Sequence, residues 1–320
     1  MRVPLLSRYC PRYRELWELD DLWARLADEH GAGRTILGRS VEGRAIRAYE
    51  FGDRNQPTVL LSALMHGIEL IGGLALYDSV RALLIRGLRS HLVVVPSVNP
   101  DAVIYNLNRI AEGRRAGRRT NSRGVDLNRN FEWVVDRMPR HPFAGSRWRW
   151  SLHYCGPEPF SEPETRAIRA LVQDVRPSLS LAFHSFGNLL LFPWAHSAAP
   201  NPRVGTYRML ARRFVSAMID EPYEVRQAQS FYPTVGDMDD WLDARTGALA
   251  FTVEVSRLTR RILSPRRFLN PFFWMNPKNA QKTLANLVPG VQALIEAASE
   301  HVRLAPRGLS AVGMMGAVGA

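Results

Sequence analysis

A histidine and a glutamate separated by two residues are the first side chains of this chain whose types and spacing could do chemistry. His66 and Glu69 follow an apolar run at 60–65 that has the length and composition of a strand, and a helical pattern of leucines begins at Glu69. The two side chains therefore lie about one helical turn apart and can converge on one ion, and their imidazole nitrogen and carboxylate oxygen suit zinc. The pair alone is unspecific, because the same spacing also marks an ordinary helix start with an acidic first turn.

A third ligand has to come from elsewhere in the chain, since a catalytic zinc takes three protein ligands and keeps a fourth position open for water. His184 stands directly after the apolar run at 178–183, at the carboxyl end of a predicted strand, where sites collect in sheets with parallel strands. We therefore predict that His184 completes the set. The competing histidines are His30, His91, His141, His153, His196 and His301.

A carboxylate opposite the zinc is needed to move the proton that the leaving amine must receive. Glu254 follows the apolar run at 249–253, where a charged side chain is costly unless it is paired or functional. We predict that Glu254 is the general base. The alternative is a carboxylate at the rim of the cleft, paired with Arg257.

Alternating strands and helices must position these side chains. Residues 13–30 predict an amphipathic N-terminal helix, and residues 277–300 predict a closing one. The strands are predicted at 34–49, as a pair joined by a glycine-containing turn, and at 58–63, 91–96 and 178–183. This alternation predicts a single α/β domain with a mostly parallel or mixed β-sheet, flanked by helices on both faces.

The predicted organisation is an N-terminal helical extension at 1–30, a catalytic domain at 31–300 and a flexible C-terminal tail at 301–320. No run has the length of an export signal or a membrane span, so we expect a cytoplasmic protein that makes no membrane contact. With Cys10 and Cys155 as its two cysteines, the chain has no disulfide framework.

The net charge of +12 comes from 42 Lys and Arg against 30 Asp and Glu. Most of the excess is arginine dispersed along the chain, and no helix-turn-helix, zinc-finger or RNA-binding motif accompanies it. We therefore expect a solvated arginine-rich surface and no nucleic-acid partner. The basic run at 257–267 is interpreted as a solvated loop, with a site for an acidic partner as the alternative.

Several short motifs together resemble those of the zinc metallocarboxypeptidases of the funnelin type. Within that family the chain resembles a bacterial cytoplasmic member. They occur in the family's order and at compatible spacing across residues 30–300. The motifs are His66-x-x-Glu69, Asn99-Pro100-Asp101, Arg119-x-Asn121, GVDLNRN at 124–130, FSEPET at 160–165, AFHS at 182–185, Tyr232-x-x-x-Gly236, Asp240-Trp241 and Thr252-Val253-Glu254.

The resemblance implies a single α/β domain with a central mixed, twisted β-sheet of about eight strands, flanked by helices on both faces. It further implies that His66, Glu69 and His184 hold one zinc ion per chain. It also implies that Glu254 takes a proton from the zinc-activated water and returns it to the departing nitrogen. By the Arg-x-Asn pattern, Arg119 stabilises the developing oxyanion. Arg118 stands one residue away and competes for that role.

The same resemblance predicts how a peptide with a free C-terminal carboxylate is bound. A planar guanidinium forms two hydrogen bonds to a carboxylate, so Arg129 with Asn128 is the expected clamp, supported by Tyr232 from a mobile loop. Related enzymes form the bottom of the pocket for the last side chain just before the Asp-Trp pair, at Asp239. A buried acid there would pair with a basic side chain, and the alternative is that Asp239 caps a turn and points to water.

Three functions are compatible with these residues. The first is a metallocarboxypeptidase that removes one C-terminal residue. In its narrower form, this enzyme prefers a basic C-terminal residue. The second is a zinc amidase that cleaves the γ-glutamyl–diaminopimelate bond of murein-type peptides, and the third is a non-catalytic binding module with this fold. The intact set of ligands and Glu254 argues against the third.

The insertion at 132–159, rich in Trp, Arg, Pro and His, borders the cleft and either selects a peptide or packs on the sheet.

Overall fold

A mixed eight-stranded sheet runs through the centre of the computed structural model, which describes residues 9–258 and 268–304. The strands are β1 (Gly33–Arg39), β2 (Ala45–Phe51), β3 (Thr58–Ala63), β4 (His91–Val95), β5 (Leu179–His184), β6 (Leu189–Phe192), β7 (Glu224–Gln227) and β8 (Leu249–Glu254). Their order in the sheet is β1-β2-β4-β3-β5-β8-β6-β7. The four central strands β4, β3, β5 and β8 are parallel, and antiparallel pairings join them to β2 on one side and β6 on the other.

Helices cover both faces of this sheet. They are α1 (Leu19–Glu29), α2 (Leu70–Arg86), α3 (Pro100–Ala111), α4 (Pro163–Val175), α5 (Val204–Ser216), α6 (Met238–Thr246), the single turn α7 (Phe272–Met275) and α8 (Ala280–Leu304). One apolar core contains Leu74 of α2 and Leu294 of α8, and the other contains Ile168 of α4 and Leu242 of α6. A sheet buried between two helical layers explains why its central strands are almost uniformly apolar. The structure confirms the predicted fold class.

The register of the central strands positions the chemistry. Ala63 of β3 pairs with Phe183 of β5, and His184 at the end of β5 pairs with Glu254 at the end of β8. Because the strands are parallel, all three end at the same edge of the sheet. The residues that follow β3, and the last residues of β5 and β8, are therefore brought together from distant parts of the chain.

The predicted N-terminal helix is observed as a 3₁₀ segment, Pro11–Glu18, followed by α1. Tyr13 and Trp23 are fully buried, and the Tyr13 hydroxyl donates a hydrogen bond to the carbonyl of Pro277 at 2.9 Å. These residues thus pack into the same apolar core as α2 and α8.

The strands predicted at 34–49, 58–63, 91–96 and 178–183 are present within two residues of their predicted bounds. β6 and β7 were not located individually, because each is four residues long and has too few side chains for a period to show. Residues 301–304 of the predicted tail continue α8, and residues 305–320, like 259–267 of the basic run, lie outside the described residues. None of the helices in the described ranges is long and apolar enough to span a bilayer.

Candidate active site

Three ligand side chains meet where β3 and β5 end. His66 Nδ1 lies 2.9 Å from Glu69 Oε1, and His184 Nδ1 lies 2.9 Å from Glu69 Oε2 and 3.1 Å from His66 Nδ1. All three side chains are buried, and their ligand atoms lie within 4.8 Å of one another. Donor atoms around one tetrahedral zinc, with bonds of about 2.0–2.2 Å, are roughly 3.3 Å apart, so the group fits this ion. A cation between the facing imidazole nitrogens would also satisfy both of them.

The environment favours the protonation states that bind a metal. Burial alone would raise the pKa of Glu69, but the neighbouring His66 and His184 lower it below its ordinary value. Burial lowers the pKa of His184, although Glu69 opposes this shift. An ionised carboxylate and a neutral imidazole are the forms that act as ligands.

Asp126 orients His66 through Nε2, the imidazole nitrogen that does not lie beside Glu69 and His184. His66 Nε2 lies 3.0 Å from Asp126 Oδ1, and Arg119 Nε donates to Asp126 Oδ2 at 3.0 Å. Burial would raise the pKa of Asp126, but the charges of Arg119, Arg129 and His66 hold it well below its usual range. An ionised Asp126 accepts the proton of Nε2 and leaves Nδ1 free for the metal. Asp126 belongs to the GVDLNRN motif, but the sequence alone gave it no role.

Close packing fixes the loop that carries His66 and Glu69. A Cβ atom on Gly67 would lie 2.4 Å from Cβ of Ala102 and 2.6 Å from the backbone nitrogen of Val103, so only glycine lets α3 approach this closely. The side-chain amide of Asn99, at the start of α3, donates to the carbonyl of Met65 at 3.2 Å.

A buried asparagine from the far end of the chain holds the other side of this loop. Asn276 Nδ2 donates to the carbonyl of Ile68 at 2.9 Å, and Asn276 Oδ1 accepts from the backbone nitrogen of Ile71 at 3.0 Å. Asn276 was not predicted from the sequence, and no local pattern signals it, because its partners lie about 200 residues away in the sequence.

Glu254 ends β8 opposite the ligand group. Burial raises its pKa well above the ordinary value, the charge of Glu69 adds to this shift, and Arg119 opposes it. The alternative partner, Arg257, instead pairs with Glu221 at 3.3 Å. Glu254 is 8% exposed, so it is not a solvated rim group.

Of the two candidate arginines, Arg119 faces the ligand group. Its Nη1 lies 3.4 Å from Glu69 Oε1, and its side chain is mostly buried. The guanidinium of Arg118 stacks 3.5 Å from the ring centre of Tyr105 and lies 3.7 Å from Glu42, away from the site.

Arg129 is a buried cation with an incomplete set of partners. Its Nε and Nη2 donate to the carbonyl of Phe143 at 3.2 and 3.0 Å, and its Nη1 donates to the carbonyl of Asn128 at 2.5 Å. Among residues 9–258 and 268–304, no carboxylate forms an ion pair with it, although it is only 1% exposed. The side chain of Tyr232 is a further hydrogen-bond partner of this guanidinium. Asn128 lies beside it, with Oδ1 accepting from the nitrogen of Met238 at 3.0 Å.

Tyr232 lies over this guanidinium. The centre of its ring is 5.9 Å from Arg129 Cζ. Burial raises the pKa of the Tyr232 hydroxyl, and the positive charges of Arg129 and Arg119 oppose the shift. The structure thus places Tyr232 beside Arg129.

Asp239 lies in the first turn of α6 with one oxygen unsatisfied. The hydroxyl of Thr252 donates to Oδ2 at 2.6 Å, whereas buried Oδ1 has no hydrogen-bond partner in the described part of the chain. Burial raises the pKa of Asp239 to about 8. The alternative role as a turn cap belongs to Asp237, which accepts from the nitrogen of Asp240 at 2.9 Å. Asp239 therefore points into the protein and not to water.

Comparisons with known proteins agree on one family. A family model described as zinc carboxypeptidase matches residues 21–283. Among curated relatives, carboxypeptidase B of Helicoverpa zea is 27% identical over 208 residues, which cover 58% of this chain and 47% of the relative. Zinc carboxypeptidase A 1 of Anopheles gambiae is 28% identical over 265 residues, which cover 76% of this chain and 60% of the relative. The chain therefore spans about half of the first relative and three-fifths of the second.

Solved structures share the fold. Carboxypeptidase A from Helicoverpa armigera superposes with a TM-score of 0.72 at 21% identity, covering 89% of this chain and 72% of that chain. Bovine thrombin-activatable fibrinolysis inhibitor, solved with a tick carboxypeptidase inhibitor, superposes with a TM-score of 0.71 at 19% identity, covering 90% and 97% of the two chains.

The packing at Gly67 leads to a test of the site's construction. Gly67→Ala should destabilise the protein by about 1–3 kcal/mol, because the new methyl group overlaps the backbone of α3, and it should lower zinc content by displacing His66. Urea unfolding and metal analysis measure the two effects. The control is Gly205→Ala, where the added Cβ meets no atom within 4 Å and both quantities should stay near wild type. Equal behaviour of the two variants would show that close packing at Gly67 does not hold the loop.

Proposed function

Since the chain belongs to the zinc carboxypeptidase family, we propose that it is a zinc-dependent hydrolase that removes one residue from the C-terminus of a peptide. The family match confirms the resemblance found in the motifs, and zinc is the metal of that family. The observation that carries the proposal is Arg129, a buried guanidinium that donates to backbone carbonyls and forms no direct ion pair with a carboxylate among the described residues. The charge of Asp126 acts on this guanidinium without a direct ion pair. A carboxylate that arrives with the substrate would therefore supply the direct anionic partner that the described residues do not.

Binding would begin at the α-carboxylate. A guanidinium binds both oxygens of a carboxylate through two parallel N–H groups, and each terminal nitrogen of Arg129 donates one hydrogen bond to a backbone carbonyl. The side-chain amide of Asn128 and the hydroxyl of Tyr232 are the additional donors. Together they require the last residue of the peptide to be free, which distinguishes a carboxypeptidase from an endopeptidase.

Zinc held by His66, Glu69 and His184 would supply a Lewis acid that polarises the scissile carbonyl and makes water nucleophilic at neutral pH. Glu254 takes a proton from the attacking water and delivers it to the nitrogen of the departing residue. A carboxylate that accepts a proton in one step and releases it in the next acts as general base and then as general acid. Arg119 donates to the oxygen on which negative charge develops.

A preference for a basic C-terminal residue is supported by Asp239. Its Oδ1 is buried and unsatisfied in the described part of the chain, and Lys, Arg or a diamino acid would bring the missing donor and charge. A C-terminal diamino acid also occurs in murein tripeptide, whose γ-glutamyl bond is the substrate of the alternative amidase activity. The same clamp and the same acid would bind either substrate, so a panel with both types of bond has to decide between them.

Glu254 carries the first test of the mechanism. Glu254→Gln should reduce kcat by about 10²-fold or more while zinc stays near one ion per chain, because the amide cannot accept the proton but occupies the same space. Peptide hydrolysis and metal analysis measure these effects, with the exposed Glu221→Gln as control. Loss of zinc together with activity would show that the role of Glu254 has been misread.

Arg129 carries the test of the substrate class. Arg129→Lys should raise KM for free-acid peptides by about 10-fold or more, since an ammonium cannot form the two-pronged bond, and it should shrink the preference for free-acid over amidated peptides. Steady-state kinetics on matched peptide pairs measure both effects, and Arg86→Lys, on an exposed arginine, is the control. Identical kinetics of Arg129→Lys and wild type would remove Arg129 from the clamp.

Asp239 carries the test of specificity. Asp239→Asn should lower kcat/KM for peptides ending in Lys or Arg by about 10-fold or more and leave peptides ending in Leu near wild type. In the wild type, binding of a basic residue should strengthen as the pH rises through about 8, because the carboxyl then ionises. A wild-type enzyme that favours C-terminal Leu, with no response to the substitution, would refute the basic preference.

A further inference from the structure

Two aromatic side chains from the 132–159 segment pack directly on Tyr232. The ring of His141 stacks parallel to that of Tyr232, with centres 6.3 Å apart and an interplanar angle of 8°. The ring of Phe143 meets Tyr232 edge to face at 5.8 Å and 78°. We call His141 and Phe143 the aromatic clip. The Tyr232 ring therefore contacts both clip residues and also lies over the guanidinium of Arg129.

The clip also holds the second member of the proposed clamp. The backbone carbonyl of Phe143 accepts hydrogen bonds from both Nε and Nη2 of Arg129. These two hydrogen bonds orient the guanidinium plane. One residue of the segment thus contacts Tyr232 with its side chain and Arg129 with its backbone.

One backbone hydrogen bond beside the clip joins this segment to the loop that carries Tyr232, and a second hydrogen bond lies within the clip. The backbone nitrogen of Val235 donates to the carbonyl of Ala144 at 3.0 Å, and the nitrogen of Phe143 donates to His141 Nδ1 at 3.2 Å, which fixes the imidazole. Gly145 lets the chain turn at this point, since a Cβ there would lie 2.8 Å from the sulfur of Cys155.

The exposure of Phe143 shows that it is not placed for core stability. Its side chain is 50% exposed, yet it packs against Tyr232 and His153 instead of being solvated alone. The contact of this ring with Tyr232 restricts where Tyr232 can lie, and Phe231 packs on the same tyrosine ring with centres 4.8 Å apart. A binding group that is already ordered loses less conformational freedom when the ligand arrives.

We propose that His141 and Phe143 are positioning residues that hold Tyr232 over Arg129 before the substrate binds. This inference rests on the proposed carboxypeptidase function and deepens it, because it gives the 132–159 segment a role in binding the C-terminal carboxylate. That role differs from both interpretations that the sequence suggested for the segment, which were selection of a peptide and packing on the sheet.

Phe143→Ala removes the ring and keeps the backbone carbonyl that binds Arg129. It should raise KM for free-acid peptides by about 2- to 10-fold, the size expected from losing an aromatic pair, with a smaller change in kcat and in the unfolding midpoint. Phe143→Tyr should restore KM, because it returns an aromatic ring to a half-exposed position. Trp150→Ala, on an exposed residue of the same segment, is the matched control.

A double-mutant cycle separates positioning from a general structural role. If Phe143 acts through Tyr232, Phe143→Ala should have no further effect on KM in a Tyr232→Ala background. Additive effects of the two substitutions, in an enzyme that hydrolyses peptides, would overturn the proposal.

A second measurement does not depend on activity. Tetranitromethane nitrates accessible tyrosine rings, and peptide mapping reports the rate at Tyr232 alone. Phe143→Ala and His141→Ala should each accelerate nitration of Tyr232 several-fold, whereas Trp150→Ala should not. An unchanged nitration rate in both clip variants would overturn the positioning role. If the wild type hydrolyses no peptide, the proposed function fails, and this rate still decides whether the clip positions Tyr232.

Discussion

The parallel register of β3, β5 and β8 is the constraint on which the rest of the structure depends. Since Ala63 pairs with Phe183, and His184 pairs with Glu254, the three strands end side by side. The loop after β3 then delivers His66 and Glu69 to the space beside His184. A register shift of one residue in β5 would turn His184 to the other face of the sheet and separate it from His66 and Glu69.

Buried charge in the site falls into two classes. Glu69, Asp126 and Arg119 are compensated within the protein, by one another and by the histidines. Arg129, in contrast, forms no direct ion pair within the described residues, Asp239 keeps an unsatisfied oxygen there, and burial raises the pKa of Glu254. Under the proposed function Arg129 binds the terminal carboxylate, Asp239 binds the last side chain and Glu254 transfers the proton. Arg119 belongs to the first class and, under the same function, also donates to the developing oxyanion.

Much of this arrangement could be predicted from the sequence. The apolar runs located the central strands, and the placement of His184 and Glu254 after such runs indicated that both would stand at the same edge of the sheet. What escaped prediction depends on contacts between distant segments. No local sequence pattern signals the contacts of Asp126 with His66, of Asn276 with Ile68 or of the clip with Tyr232. The partners in each contact are brought together only when the chain folds. The choice between Arg118 and Arg119 was open for the same reason, since neighbouring loop residues differ only in the direction that tertiary packing gives them.

Zinc K-edge X-ray absorption of the purified protein tests the central claim most directly, because it reports the ligands of the metal without reference to any substrate. We predict one zinc ion with two imidazole nitrogens and oxygen ligands at about 2.0–2.2 Å. In the doubly substituted His66→Ala, His184→Ala protein, the imidazole scattering should disappear together with the bound zinc. A spectrum with sulfur ligands at about 2.3 Å, or one that keeps its imidazole scattering in that variant, would contradict the convergence of these residues on one ion.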